Sequence, residues 1–318
     1  MSESIAEKIR RDIARSGFPL ELFVLNVCSR KSTGRLPNIR YKCDGELREV
    51  DLVTSFETMI SRPKHGENIQ HTITCMVIAC KKSAEKPWVF FSTPGYPPRG
   101  LSCFTKYCSD FDLHFSKTDE PSLLYQIRKH LPRIHYSLAS IPVCINYCEA
   151  FRRASKPSDI YGAVDSILSY LNYALRRELK RRDVMGCVTV FYFPIIVLEG
   201  LLFEAQVEGD QIEVQARDHI QLRTLEENGI FVVDVVRKEH FGKFFELIEQ
   251  DHNTLVESIN GVRFPRAHKS LIRAKVRKPV ERRKLLEMSL EFTEPRVTSA
   301  QLGRKANETN PGRVGKDS

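Results

Sequence analysis

The order in which helix-like and strand-like runs follow one another constrains this chain more than any single motif. Ile5, Ile9 and Ile13 recur every fourth residue between Ser2 and Ser16, the spacing of one helix face, and Gly17 is placed to stop that helix. Pro19 suits the first turn of a second helix, whose stripe Leu20, Val24 and Val27/Cys28 runs until Ser29-Arg30-Lys31-Ser32-Thr33-Gly34 breaks it. Asn38 to Cys43 and Glu46 to Ser55 read as strands around Asp44-Gly45, a dipeptide whose tolerance of positive φ suits a tight hairpin. Thr72 to Cys80 and Pro87 to Phe91 read as two further strands, and polar Glu57 to His71, with Pro63 and Gly66, as a loop. Ser122 to Ala139, Pro142 to Ser155 and Ser158 to Arg182 read as helices, the last with Ile167, Leu171, Ala174/Leu175 and Leu179 on one side. Val188 to Leu198, Leu202 to Val207, Gln211 to Val214 and Phe231 to Val236 are β-rich, Glu208-Gly209-Asp210 is a hairpin turn, and His240 to Asn253 is helical. Thr93 to Lys117 supports no assignment. This order predicts one α/β domain over residues 1–260 with a mostly helical insertion at about 120–185.

Composition excludes several alternatives. With 42% apolar residues in 318, the chain can bury a real core. Its longest apolar run, Val188 to Leu198, contains Pro194, ends at Glu199 and is too short to cross a bilayer. The start, Met1-Ser2-Glu3-Ser4, passes straight into a charged helical pattern without the apolar stretch of a signal peptide, so a cytoplasmic location is expected. Nine cysteines, an odd number, argue against a disulfide framework there. Neither Cys103-x4-Cys108 nor Cys144-x3-Cys148 has zinc-knuckle spacing. The excess of 49 basic over 40 acidic side chains sits in one place: Gly261 to Lys284 carries ten Lys or Arg against the single Glu281. Residues 261–318 therefore read as a basic, flexible segment in which Lys269, Arg273, Lys275, Arg277, Lys278, Arg282, Arg283 and Lys284 are the expected phosphate contacts. A solvated tail is the competing reading.

The chemistry-bearing residues lie in the strand cluster. In Glu49-Val50-Asp51-Leu52-Val53, strand alternation places both carboxylates on one face, with Val50 and Leu52 on the other. The strand Thr72 to Cys80 then ends in Lys81-Lys82-Ser83, setting a cation at the end of a neighbouring strand. Phosphodiester hydrolysis uses a divalent metal to polarise the phosphate and an ammonium to orient water or take up developing charge. Asp51 and Lys81 suit those tasks; exposed strand-end Asp and Lys are the competing reading. His71, His130, His135, His219, His240 and His252 make no metal-like pair and read as surface or core residues. Cys80 reads as a small strand apolar with no paired His, and Trp88, Phe90 and Phe91 as core aromatics in preference to a base-stacking platform.

In this order, the motifs resemble the PD-(D/E)XK (restriction-endonuclease-like) nuclease superfamily over roughly residues 15–92. Phe18-Pro19-Leu20-Glu21 is similar to the start of that family's first core helix with its acid. Tyr41 to Asp51 resembles the hairpin delivering the metal-binding Asp. Val77-Ile78-Ala79-Cys80-Lys81-Lys82-Ser83 followed by Pro87-Trp88-Val89-Phe90-Phe91 resembles the acid-x-Lys strand and its successor. More loosely, Phe231 to Val236 and the helix after it would complete the core.

The resemblance implies a mixed central sheet flanked by helices and metal-dependent cleavage of DNA. Asp51, Lys81 and Glu21 would be the catalytic residues; Asp51, the Cys80 carbonyl and Glu49 would bind Mg²⁺ or Mn²⁺. Alanine stands at position 79, where the family's second acid is expected, so one hard ligand is missing and metal affinity should drop. Natural loss of catalysis, an acid relocated to Glu49, Glu21, Glu57 or Glu85, and an engineered substitution all remain open. The expected function is a DNA nuclease, with a catalytically silent nucleic-acid-binding or protein-interaction member of the same fold as the alternative. DNA is the expected partner, no membrane is expected, and a homodimer or protein partner stays open.

Overall fold

A computed structural model describes residues 4–43, 45–62, 68–93, 134–151, 158–179, 187–209, 211–226 and 229–260. Two helices open it. In α1, Ile5–Arg15, Ser4 accepts from the Glu7 amide while the Glu7 carboxylate accepts from the Ser4 amide, a capping box that satisfies two end donors. Gly17 belongs to the next helix, as N-cap of α2, Phe18–Ser29, with Pro19 in its first turn. Leu20, Val24 and Cys28 are fully buried, as their spacing predicts. The two aliphatic side chains contribute roughly 1.5–3 kcal/mol each by burial.

The strands that follow are longer than sequence patterning predicts. β1 is Gly34–Cys43, β2 Glu46–Arg62 and β3 Asn68–Ser92, the first two joined through Gly45 at φ 88°. Much of Glu57 to His71 is therefore strand and not loop, because β2 and β3 pair antiparallel out to Arg62 and Asn68. Thr72–Cys80 and Pro87–Phe91 are parts of one strand, interrupted only by a shift of register against its neighbour between Ser83 and Trp88.

After a 3-10 turn at His135–Ser137 comes β4, Val143–Glu149. Pro142 to Ser155 was expected to be helical. In the fold, Trp88 to Ser92 offers an open edge and Val143–Glu149 pairs there as a strand; residues 152–155 lie outside the described residues. α3 spans Asp159–Leu179, β5 Cys187–Glu208, β6 Gln211–Ala216, β7 His219–Glu226 and β8 Gly229–Arg237. A 3-10 turn at Lys238–His240 leads into α4, Phe241–Asn260. β7 has no counterpart in the sequence reading, and the separate runs 188–198 and 202–207 form the single strand β5.

The sheet is mixed, in the order β1-β2-β3-β4-β7-β8-β5-β6, and a β3–β5 pairing joins the ends of the run β3-β4-β7-β8-β5 into a circuit. β3 runs parallel to β5 over almost its whole length, while its other edge carries β2 and then β4. Helices cover both faces. Met76, Ile78, Cys80, Phe193, Ile195 and Val197 point into a cluster with α2 and α4; Val77, Ala79, Tyr192, Ile196 and Leu198 point into another with α3. Burial on both faces explains the continuous apolar runs Met76–Cys80 in β3 and Val190–Leu198 in β5. Pro194 is accommodated where β5 has only β3 beside it, one residue before its pairing with β8 begins. No helix among the described residues is long and apolar enough to cross a membrane.

Candidate functional site

The site forms where β2 breaks its alternation. Val53 belongs to the α3-side cluster and Leu52 to the opposite one, yet Val50 also faces α3, so Val50 and Leu52 do not share a face as strict alternation predicts. The phase changes at Asp51. Across the hairpin from it stands Asn38, whose φ of 51° marks the same local departure from extended geometry. Pairing of β2 with β3 begins only at Leu52, and the Asp51 carboxylate takes the place of the missing ladder bond by accepting the Cys80 N–H at 2.6 Å.

Three other side chains share this neighbourhood. Glu21, in the first turn of α2, is brought over the strand end because Leu20 and Val24 bury against Ile78 and Cys80. Burial raises the Glu21 pKa, Asp51 and Glu49 raise it further, and Lys81 opposes them. Asp51 is also raised, chiefly by burial, with the Cys80 amide and Lys81 opposing and Glu49 adding to the rise. Glu49 is tied to Arg40 across the hairpin at 2.9 Å. Its carbonyl accepts the Ser166 hydroxyl, which anchors the hairpin to α3. Glu21 from a helix and Glu49, Asp51 and Lys81 from two strands, four of the charged residues selected from the sequence, thus feel one another's charge.

The remaining candidates fall out differently. The Cys80 thiol is buried and its pKa pushed up, first by burial and then by Asp51 and Glu21, so it is no nucleophile. Ala79 is 2% exposed in the α3-side cluster, level with Ile196. Glu57 pairs with His71 and accepts from Ser55, six residues from Asp51 along β2, which is about 20 Å at the rise of an extended strand. The side chain of Glu85 and all of Lys269, Arg273, Lys275, Arg277, Lys278, Arg282, Arg283 and Lys284 lie outside the described residues. Trp88 and Phe90 are fully buried and present no face to a base.

Among the described residues, no group of three or more His, Cys, Asp or Glu is arranged to hold a metal ion. One Asp51 oxygen is engaged by the Cys80 amide and Glu49 by Arg40. The donors left are the other Asp51 oxygen and Glu21, hard oxygen ligands of the kind Mg²⁺ uses one or two at a time alongside water and phosphate.

A second polar cluster was not legible as a unit. His135 Nδ1 bonds Asp251, its Nε2 meets Asp234 Oδ2 at 3.0 Å, and Asp234 Oδ1 meets His219 Nε2 at 2.8 Å. The only hint in the sequence is Asp234 interrupting the apolar run Phe231 to Val236. All four residues are buried, out of reach of a substrate.

No family model, curated protein or solved structure matches this chain.

Proposed function

We propose that this chain is a metal-dependent DNA nuclease of the PD-(D/E)XK type. One observation supports the reading: Glu21 of α2, Glu49 and Asp51 of β2 and Lys81 of β3 share one electrostatic neighbourhood beside a break in β2. Asp51 and Glu21, with the Cys80 carbonyl and, once released from Arg40, Glu49 as further donors, would hold Mg²⁺ or Mn²⁺. The ion would polarise the scissile phosphate. Lys81 would orient the attacking water and balance charge as the phosphate oxygens become more negative. The cations of residues 263–284 would add sequence-independent affinity for the DNA backbone.

Burial of Ala79 in an apolar cluster favours a second reading, a member of the same fold that binds DNA without cutting it. One experiment separates the two: incubation of plasmid and single-stranded DNA with Mg²⁺ or Mn²⁺ and with a chelator, for this chain, Asp51→Ala and Lys81→Ala. Metal-dependent cutting, lost in both variants while their circular dichroism is unchanged, is the expected result. Cutting that survives both substitutions rejects the proposed site. Salt-dependent binding without cutting establishes the second reading.

A further inference from the structure

α1 is exposed along its whole length, yet it carries an ordered apolar stripe. Ile5, Ile9 and Ile13 are 77%, 52% and 51% exposed, and Phe18 and Leu22 at the start of α2 add two more exposed apolar side chains. The helix is tied down at its C-terminal end, where the Ala14 carbonyl accepts from Lys82 Nζ at 2.6 Å. Its N-terminal end is closed by the Ser4–Glu7 capping box. A helix of 11 residues is marginal in water without tertiary packing of its apolar face, and none of this stripe is buried.

We propose that α1 is the interface between two copies of this chain, packed antiparallel about a two-fold axis at Ile9. Ile9 then meets Ile9 of the second copy, and Ile5 meets Ile13. Lys8 and Asp12, one turn apart, border the same flank of the stripe. In an antiparallel pair identical flanks adjoin, so Asp12 comes within reach of Lys8 of the second copy and the contact repeats by symmetry. This self-complementary charge is what favours a second copy over an unrelated partner. On the other flank Ala6 is small and leaves room for Arg10 of each copy to extend into water.

Sedimentation of the full chain across a concentration series tests the arrangement. The chain is expected to dimerise, and Ile9→Glu to yield a folded monomer with the same circular dichroism, since no core residue changes, and with a thermal midpoint that no longer rises with protein concentration. Asp12→Lys or Lys8→Asp alone should weaken the dimer about tenfold through the two symmetry-related pairs, and the double exchange Lys8→Asp with Asp12→Lys should restore it. A monomer at every accessible concentration overturns the proposal, whether or not it binds anionic vesicles. So does a dimer indifferent to Ile9→Glu, or a double exchange that fails to recover what each single change lost.

Discussion

Asp51 is held in a place that disfavours its charge. Its folded pKa is raised by burial, so the folded state binds a proton more readily than the unfolded chain and loses stability as pH rises through the carboxylate range. Asp51→Asn keeps an oxygen for the Cys80 N–H and removes the charge; it should be more stable than the unsubstituted chain at neutral pH. That advantage should fade as pH falls below the ordinary aspartate value of 3.8. Urea denaturation at pH 7 and pH 3 measures both ends, and equal stability at the two would show that burial does not strain Asp51. A protein that gains stability when its charged carboxylate is neutralised fits a site kept for function. Ala79 poses the opposite case. Ala79→Glu would put a carboxylate among Val77 and Ile196, and should cost at least about 3 kcal/mol at neutral pH, less in acid. Glu21, Asp51 and Lys81 were legible because each stands at a recognisable point of its element. The break at Asp51 was not, because its cause is a hydrogen bond to a residue 29 positions away.

Whole elements are pinned together by the buried His135 network. Asp251 comes from α4, Asp234 from β8, His219 from β7 and His135 from the 3-10 turn before β4. Burial alone would discharge His135, but Asp234 and Asp251 outweigh it and raise its pKa to about 10. Burial likewise opposes the Asp234 charge, and His135 and His219 outweigh it, lowering that pKa to about 2. The signs fix a pH window. The His135 contribution is complete below its ordinary value of 6.5 and is lost as pH rises through about 10; the Asp234 contribution is complete above 3.8 and is lost as pH falls through about 2. His135→Gln should therefore flatten the alkaline fall in stability between about pH 7 and 10 relative to the unsubstituted chain, as thermal melts across that range would reveal. Asp234→Ala, which leaves the buried His135 with Asp251 alone and removes the carboxylate that His219 meets, should cost roughly 3–5 kcal/mol. No local pattern announces such a network, since its members are separated by up to 116 residues and each looks like an isolated polar residue in its own element.

At the scale of the whole molecule, charge and fold are partitioned. The described α/β body ends with α4 at Asn260, and the whole formal excess of +9 is carried by residues 261–284. If that segment contacts DNA, a chain ending at Asn260 should bind duplex more weakly, with a shallower fall of affinity as salt rises. An unchanged slope in a fluorescence titration would remove the segment from the interface. The helices α1, α2, α3 and α4, the β1–β2 hairpin and the mixed α/β character were determined by the sequence itself, because periodicity, capping and turn residues act over a few positions. What only the tertiary structure decided is pairing: that Val143–Glu149 becomes a strand, that β7 exists, that β3 and β5 run side by side with one shift of register, and that Asp51 turns toward Cys80. Each depends on an edge or a donor supplied by a distant part of the chain, and strand formation is set by the neighbour that completes its hydrogen bonds more than by local preference.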